Sequence, residues 1–138
     1  MAIEPYLNFD GRCEEAIEFY KKSLGAEVMM LMRFSEYPGP EGEGCAPHGS
    51  ANKIMHSCLQ INGSAVMASD CECKGKPAFQ GISLSFKARD EAAASKAFNA
   101  LADGGQVQVP LSKTFFSQAF GVVADRFGVP WMVVVPQE

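Results

Sequence analysis

The chain is poor in the features that mark several large functional classes. Lys and Arg total 12 against 16 Asp and Glu, a formal net charge of −4 over 138 residues, and the tightest basic spot is Lys21-Lys22. A nucleic-acid partner demands a basic face, so none is expected. No apolar run reaches the roughly 18 residues of a membrane span, and "MAIEPYLNFDG" lacks the basic start and long apolar centre of a secretory signal. No membrane partner is expected, and the cytoplasm is the expected location. Histidine is scarce, with His48 and His56 alone. The five cysteines (Cys13, Cys45, Cys58, Cys71, Cys73) are an odd number, which in a chain without a secretion signal favours free thiols over a disulfide framework. Cys71-Glu72-Cys73 has no C-x-x-C or H-x₃-H partner in the sequence, so metal binding is not expected there.

What is present suits one globular domain over residues 1–138: hydrophobic residues make up 47% and charged residues 20%. "YLNF" (6–9) reads as a short strand ending at Asp10-Gly11. In "CEEAIEFYKKSLG" (13–25), Ala16, Ile17, Tyr20 and Leu24 fall on one helical face, and Gly25 ends the helix. "AEVMMLMRF" (26–34) has strand length, and the Gly- and Pro-rich stretch 35–52 reads as a long loop. "KIMHSCLQI" (53–61) and "SAVMASD" (64–70) form a hairpin through Asn62-Gly63, a type I′ turn signal. After 71–79 the order repeats. A strand is expected over 81–88 and a helix from the Asp90 cap to about Leu101, with Ala94, Ala97, Phe98 and Leu101 inward. Gly104-Gly105 stops that helix, "QVQVPL" is a strand, and "FGVVADRFGVPWMVVV" is a hairpin turning at Asp125–Gly128. Leu7-x-Phe9 recurs as Leu84-x-Phe86, and Leu24 and Leu101 keep the same offset. The fold class is therefore α+β: two βαβββ modules, about 3–70 and about 79–137, forming a curved mixed sheet whose concave side makes a cup.

This order, with "YLNFDGRCEEAIEFYKKSLGAE" (6–27), "MHSCLQINGSAVMASD" (55–70) and "FGVVADRFGVPWMVV" (120–134), resembles the PhnB-like branch of the vicinal-oxygen-chelate superfamily. That superfamily holds glyoxalases, bleomycin-resistance proteins and dioxygenases, so the resemblance implies the fold far more sharply than a function. It implies a homodimer, with the 35–52 loop reaching toward the partner's cup. It places the superfamily's metal positions at Pro5 or Tyr6, at Met67, at Gly81 and at Met132, none of them His, Glu or Asp. Thioethers suit soft metals alone, so the usual metal site and any cofactor are not expected. PhnB-like sequences also carry a description as methyltransferases acting on demethylated ubiquinone. No strand–Gly-rich loop–helix unit suited to S-adenosylmethionine is apparent, so that activity is not expected.

Strand alternation selects the cup residues. Met55, Leu59 and Ile61 are expected to face the helix, which turns His56 and Cys58 into the cup. Tyr6 and Asn8, Met67 and Ser69, Ser83 and Ser85, and Met132 and Val134 join them, while Trp131 points to the core. Phe115 and Phe116 are adjacent and cannot both enter one core face, and the resemblance puts them at the cup rim. Arg33 and Lys113 are the expected basic residues near it. Against this, Met67 and Met132 could be gap fillers, and the serines the polar face of a half-exposed strand. His56 is the one cup group suited to moving protons near neutral pH, and Cys58, two residues on, lies too far along the strand to pair with it directly. Two functions fit: a small-molecule binding protein, or a metal-independent or atypical-metal enzyme on a small organic or phosphonate-like substrate with His56 as acid and base.

Overall fold

The computed structural model describes residues 3–36, 52–70 and 78–136. Of the loop expected over 35–52, residues 37–51, with Cys45 and His48, lie outside the described residues, as do Cys71 and Cys73; its first residues, Ser35 and Glu36, belong to a 3-10 turn, Phe34–Glu36. The chain divides into two compact units, the first running to Pro77 and the second from Ala78.

In the first unit, β1 (Tyr6–Asn8) leads into α1 (Cys13–Leu24), followed by β2 (Glu27–Arg33), β3 (Ile54–Ile61) and β4 (Ser64–Ser69). The sheet order is β1-β4-β3-β2, with β1 parallel to β4 and the other pairs antiparallel. The second unit repeats this with β5 (Leu84–Lys87), α2 (Glu91–Ala102), β6 (Gln106–Ser112), β7 (Ser117–Ala124) and β8 (Pro130–Pro136), in the order β5-β8-β7-β6. Each unit is thus a βαβββ module with a four-stranded mixed sheet, as the sequence pattern predicts.

The apolar spacing decides which face is buried. Ala16, Ile17 and Tyr20 of α1 are buried with Leu7, Phe9, Leu59, Ile61, Val66 and Ala68 of the sheet. In the second unit Ala94, Ala97, Phe98 and Leu101 of α2 are buried together with Ala119, Val123, Trp131, Val133 and Val135. Full burial of such side chains contributes about 1.5–3 kcal/mol each, which fixes strand register, because a one-residue slip would turn every one of them outward. The turns behave as read: Asn62 and Gly63 both have positive φ (53° and 84°), and Asp90 caps α2 by accepting from the Ala93 N–H at 2.8 Å.

Three expectations need correction. The strand expected over 81–88 begins at Leu84, and Gly81 precedes it in a bend with φ 78°. The repeat register is also shifted. Phe9 N–H donates to the Ser69 carbonyl and Ala88 N–H to the Val134 carbonyl, so Phe9 corresponds to Ala88 and Leu7 to Phe86. By the same register Tyr6 opposite Met67 matches Ser85 opposite Met132. Finally, β2 steps from Met32 opposite His56 to Arg33 opposite Ile54, skipping Met55. Ile54, not Met55, takes the core position at 0% exposure, and Met55 is half-buried.

Both units carry a second bulge at the same place. Val28 pairs with Leu59 and Met30 with Cys58, so Met29 is the extra residue; Val107 pairs with Val123 and Val109 with Val122, so Gln108 is. A bulge re-aims the residues after it. It brings Met30 and Val109 onto the face away from the helix.

Candidate functional site

One face of each sheet is sealed by its own helix; the other is open. On the open face of the first unit, Tyr6, Met67, Cys58 and Met30 stand in one cross-strand row. Asn8 opposite Ser69 and His56 opposite Met32 lie on the same face one step along the strands. The Tyr6 hydroxyl and His56 Nδ1 are hydrogen-bonded at 3.0 Å, and the two rings stack with centroids 5.6 Å apart at 27°. In one tautomer the phenol donates to Nδ1 and Nε2 carries the proton. In the other, Nδ1–H donates to the phenol oxygen and Nε2 keeps its lone pair. Either way His56 is oriented by Tyr6 and not by Cys58, in keeping with the i, i+2 spacing.

Asn8 and Ser69 are tied together, the Ser69 hydroxyl donating to the Asn8 side-chain oxygen at 2.9 Å. Ser69 is fully buried and holds Asn8 from the neighbouring strand. Tyr6 and Met30 are exposed, and His56, Cys58 and Met67 are half-buried, so this face is reachable from solvent. Cys13 differs from Cys58. It is the first residue of α1 and fully buried, and desolvation first and the Asp70 carboxylate second push its thiol up to about 12. It stays protonated and inert at neutral pH.

On the open face of the second unit, the matching row is Ser85, Met132, Val122 and Val109. One step along, Lys87 and Phe120 flank Val134. Phe116 packs edge-to-face on Phe120 at 5.1 Å, and Phe115 packs on Phe116 at 5.2 Å while remaining 93% exposed. Phe116 therefore covers the open face, and Phe115 is its outer edge. Ser83 is exposed just ahead of β5.

Lys87 was missed at the sequence level although alternation with Ser85 predicts it. Arg33, expected near the rim, instead grips Glu14 of α1 with its guanidinium, Nη2 to Oε2 at 2.6 Å and Nη1 to Oε1 at 3.2 Å. Those hydrogen bonds hold the Glu14 carboxyl below its ordinary range. The cause is the shift at Ile54, which turns Arg33 toward the helix. Met30 and Met32 were missed because the Met29 bulge inverts the parity of β2, and no composition cue marks it.

Two buried carboxylates frame these faces. Asp70 Oδ1 accepts from the N–H groups of Gly11 and Cys13, and Oδ2 from that of Ile54, each at 2.8 Å. It caps α1, whose own N-cap residue, Arg12, makes no side-chain capping bond. Asp125 Oδ1 accepts from the N–H groups of Phe127 and Val129, and Oδ2 from Trp131 Nε1 at 2.9 Å. "DRFGVPW" is accordingly architecture, with Trp131 3% exposed, as parity predicts. Among the described residues no three His, Cys, Asp or Glu side chains gather as a metal-holding group.

Comparison with known proteins places the chain. The family model described as 3-demethylubiquinone-9 3-methyltransferase matches residues 1–134. Protein YjdN of Escherichia coli is 35% identical, the match covering 100% of this chain and 97% of YjdN. Among solved structures, PA1353 from Pseudomonas aeruginosa is 39% identical with TM-score 0.84, covering 100% of this chain and 99% of that one. The PhnB protein from Bacillus cereus is 25% identical with TM-score 0.78, covering 98% and 99%. A glyoxylase/bleomycin resistance protein/dioxygenase domain from Frankia, 12% identical over 98% of this chain and 94% of that one with TM-score 0.67, shares the fold. With the repeated βαβββ module already traced, the chain belongs to the PhnB-like family that this model describes, and it has the fold of glyoxalase/bleomycin resistance/dioxygenase domains.

Proposed function

We propose that this protein binds a small, largely apolar organic molecule carrying an anionic group, without the divalent metal usual in its superfamily. The observation that carries the reading is the character of the open faces. Methionine, valine and phenylalanine side chains stand half-exposed beside a few polar groups, the usual makeup of a small-molecule site. In the second unit Lys87 and the Phe116–Phe120 pair flank Val134, about 10 Å apart across two strand spacings. That arrangement fits a carboxylate or phosphonate at one end and a ring at the other. In the first unit, Tyr6, Asn8, His56, Cys58 and Met67 supply the polar and sulfur contacts.

The superfamily's metal does not fit the residues present. At the repeat-related places stand Tyr6, Met67, Ser85 and Met132: a phenol, two thioethers and a hydroxyl. A hard divalent ion wants imidazole or carboxylate there. Methyl transfer is not part of the proposal. The strand-to-helix connections are Phe9–Arg12, with one glycine, and Ala88–Asp90, with none, neither being a glycine-rich cofactor turn.

Isothermal titration of the full chain with 3-phenylpropionate and phenylphosphonate, against neutral 3-phenylpropanamide, tests the reading. The anions are expected to bind, and Lys87→Ala to weaken them about tenfold or more. Equal binding of the amide, or no effect of Lys87→Ala, would sink it. A second reading, catalysis by His56 as acid and base, is favoured by the Tyr6–His56 bond, which orients the imidazole as a positioned catalyst requires. If His56→Ala leaves every turnover of aryl phosphonates and esters unchanged, that reading loses its candidate.

The proposal takes the two units as one domain over residues 1–138, working as a cytoplasmic homodimer. No helix among the described residues is long and apolar enough to cross a membrane.

A further inference from the structure

Soft donors are concentrated on the open face of the first unit. Cys58 is flanked across the strands by Met30 on β2 and Met67 on β4, and His56, beside it on β3, is flanked by Met32. Neighbouring strands lie about 4.8 Å apart, so thioethers from either side can meet above the Cys58 sulfur. The Met29 bulge makes this convergence, since in a regular strand Met30 would share the helix-side face of Val28.

The second unit provides an internal control. Its row has Val109, Val122 and Met132 where the first has Met30, Cys58 and Met67, with the same bulge at Gln108. The fold is satisfied by valine at both places, so packing does not call for the sulfur of Met30 and Cys58.

We propose that Met30, Cys58 and Met67, with Met32 and His56 beside them, form a binding site for a soft monovalent metal ion, copper(I) by its donor chemistry. Thiolate and thioether ligands select Cu(I), and imidazole suits it as well. Binding replaces the Cys58 thiol proton, which leaves to solvent, and no electron transfer is involved. When Nδ1–H of His56 donates to the Tyr6 oxygen, Nε2 is left with its lone pair, the arrangement by which a neighbour orients a metal-binding imidazole. The set differs from the superfamily's four metal positions and shares Met67 alone with them. Met30 is 42% exposed and Cys58 half-buried, so an ion can enter.

The test is anaerobic titration of the full chain with Cu(I) against the chromophoric chelator bicinchoninate. It is done in a Cys45→Ser/Cys71→Ser/Cys73→Ser background, which leaves Cys58 and the buried Cys13 as the only thiols. One Cu(I) per chain is expected, with an X-ray absorption spectrum dominated by sulfur neighbours. Met30→Val/Cys58→Val, which copies the second unit, is expected to lower the affinity at least about tenfold, and Tyr6→Phe to lower it about tenfold through His56. Should the valine variant fail to fold, Met30→Leu/Met67→Leu, near-equal in volume, gives the same reading. No Cu(I) uptake in the serine background, or undiminished affinity in the folded variants, overturns the proposal.

Discussion

At the scale of single residues, two buried acidic groups have opposite tasks. The Asp70 carboxylate holds three backbone N–H groups from two segments far apart in sequence, at the start of α1 and the start of β3. Replacing it with alanine leaves those donors buried and without their acceptor. Asp70→Ala is expected to lower the unfolding free energy by about 3 kcal/mol or more, measured by urea denaturation. A loss below about 1 kcal/mol would mean that water takes over the cap. Cys13 acts through its proton. Its thiol is raised from the ordinary 9.0 to about 12, so folded and unfolded states bind protons equally below pH 9. Above it the unfolded state releases its proton first, and the stabilisation is lost as pH rises from 9 toward 12. The expected slope is about 1.4 kcal/mol per pH unit, and Cys13→Ala should abolish it in denaturation curves taken across that range. An unchanged slope in the variant would assign the alkaline loss to other groups.

At the scale of elements, close approach governs the second unit. A Cβ added at Gly121 would lie 2.7 Å from the Phe98 ring and 3.0 Å from the Leu111 backbone, so glycine is what lets α2 seat on β7. Gly121→Ala is expected to cost about 1–3 kcal/mol by overpacking, read as a fall in Tm, and a neutral outcome would show that Phe98 can move aside. The elements were legible in the sequence wherever a face is buried: the Ala16–Ile17–Tyr20 and Ala94–Ala97–Phe98–Leu101 stripes, the Asn62-Gly63 turn and the inward Trp131 all follow from period and turn chemistry. Edges were less legible. The bulges at Met29 and Gln108 lie on the edge strands β2 and β6, where few core contacts punish an extra residue, and Met55 is skipped near the start of β3, so alternation could not predict that Met30 joins Cys58 or that Arg33 turns to Glu14. Lys87 was legible, because it alternates with Ser85, whereas the Asp70 cap was not: its partners are 16 to 59 residues away in the chain.

For the whole molecule, the repeat explains how one fold carries two chemically different open faces. The rows that begin at Tyr6 and Ser85 occupy related places, yet the first gathers phenol, imidazole and sulfur while the second gathers lysine, valine and phenylalanine. Under the proposed binding function, each face offers its own contacts. Self-association is expected at this scale as well. Sedimentation equilibrium should return about twice the chain mass of 14.9 kDa, and a mass of one chain at micromolar concentration would remove the homodimer from the account.

The most direct test of the central claim is a methyl-resolved NMR titration of the full chain with 3-phenylpropionate, using the Met and Val resonances. The account predicts saturable shifts centred on Val122, Met132 and Val134, with the buried Val123 and Val133 of the helix-side face little changed. Shifts confined to the helix-side residues, or none at millimolar ligand, would contradict it.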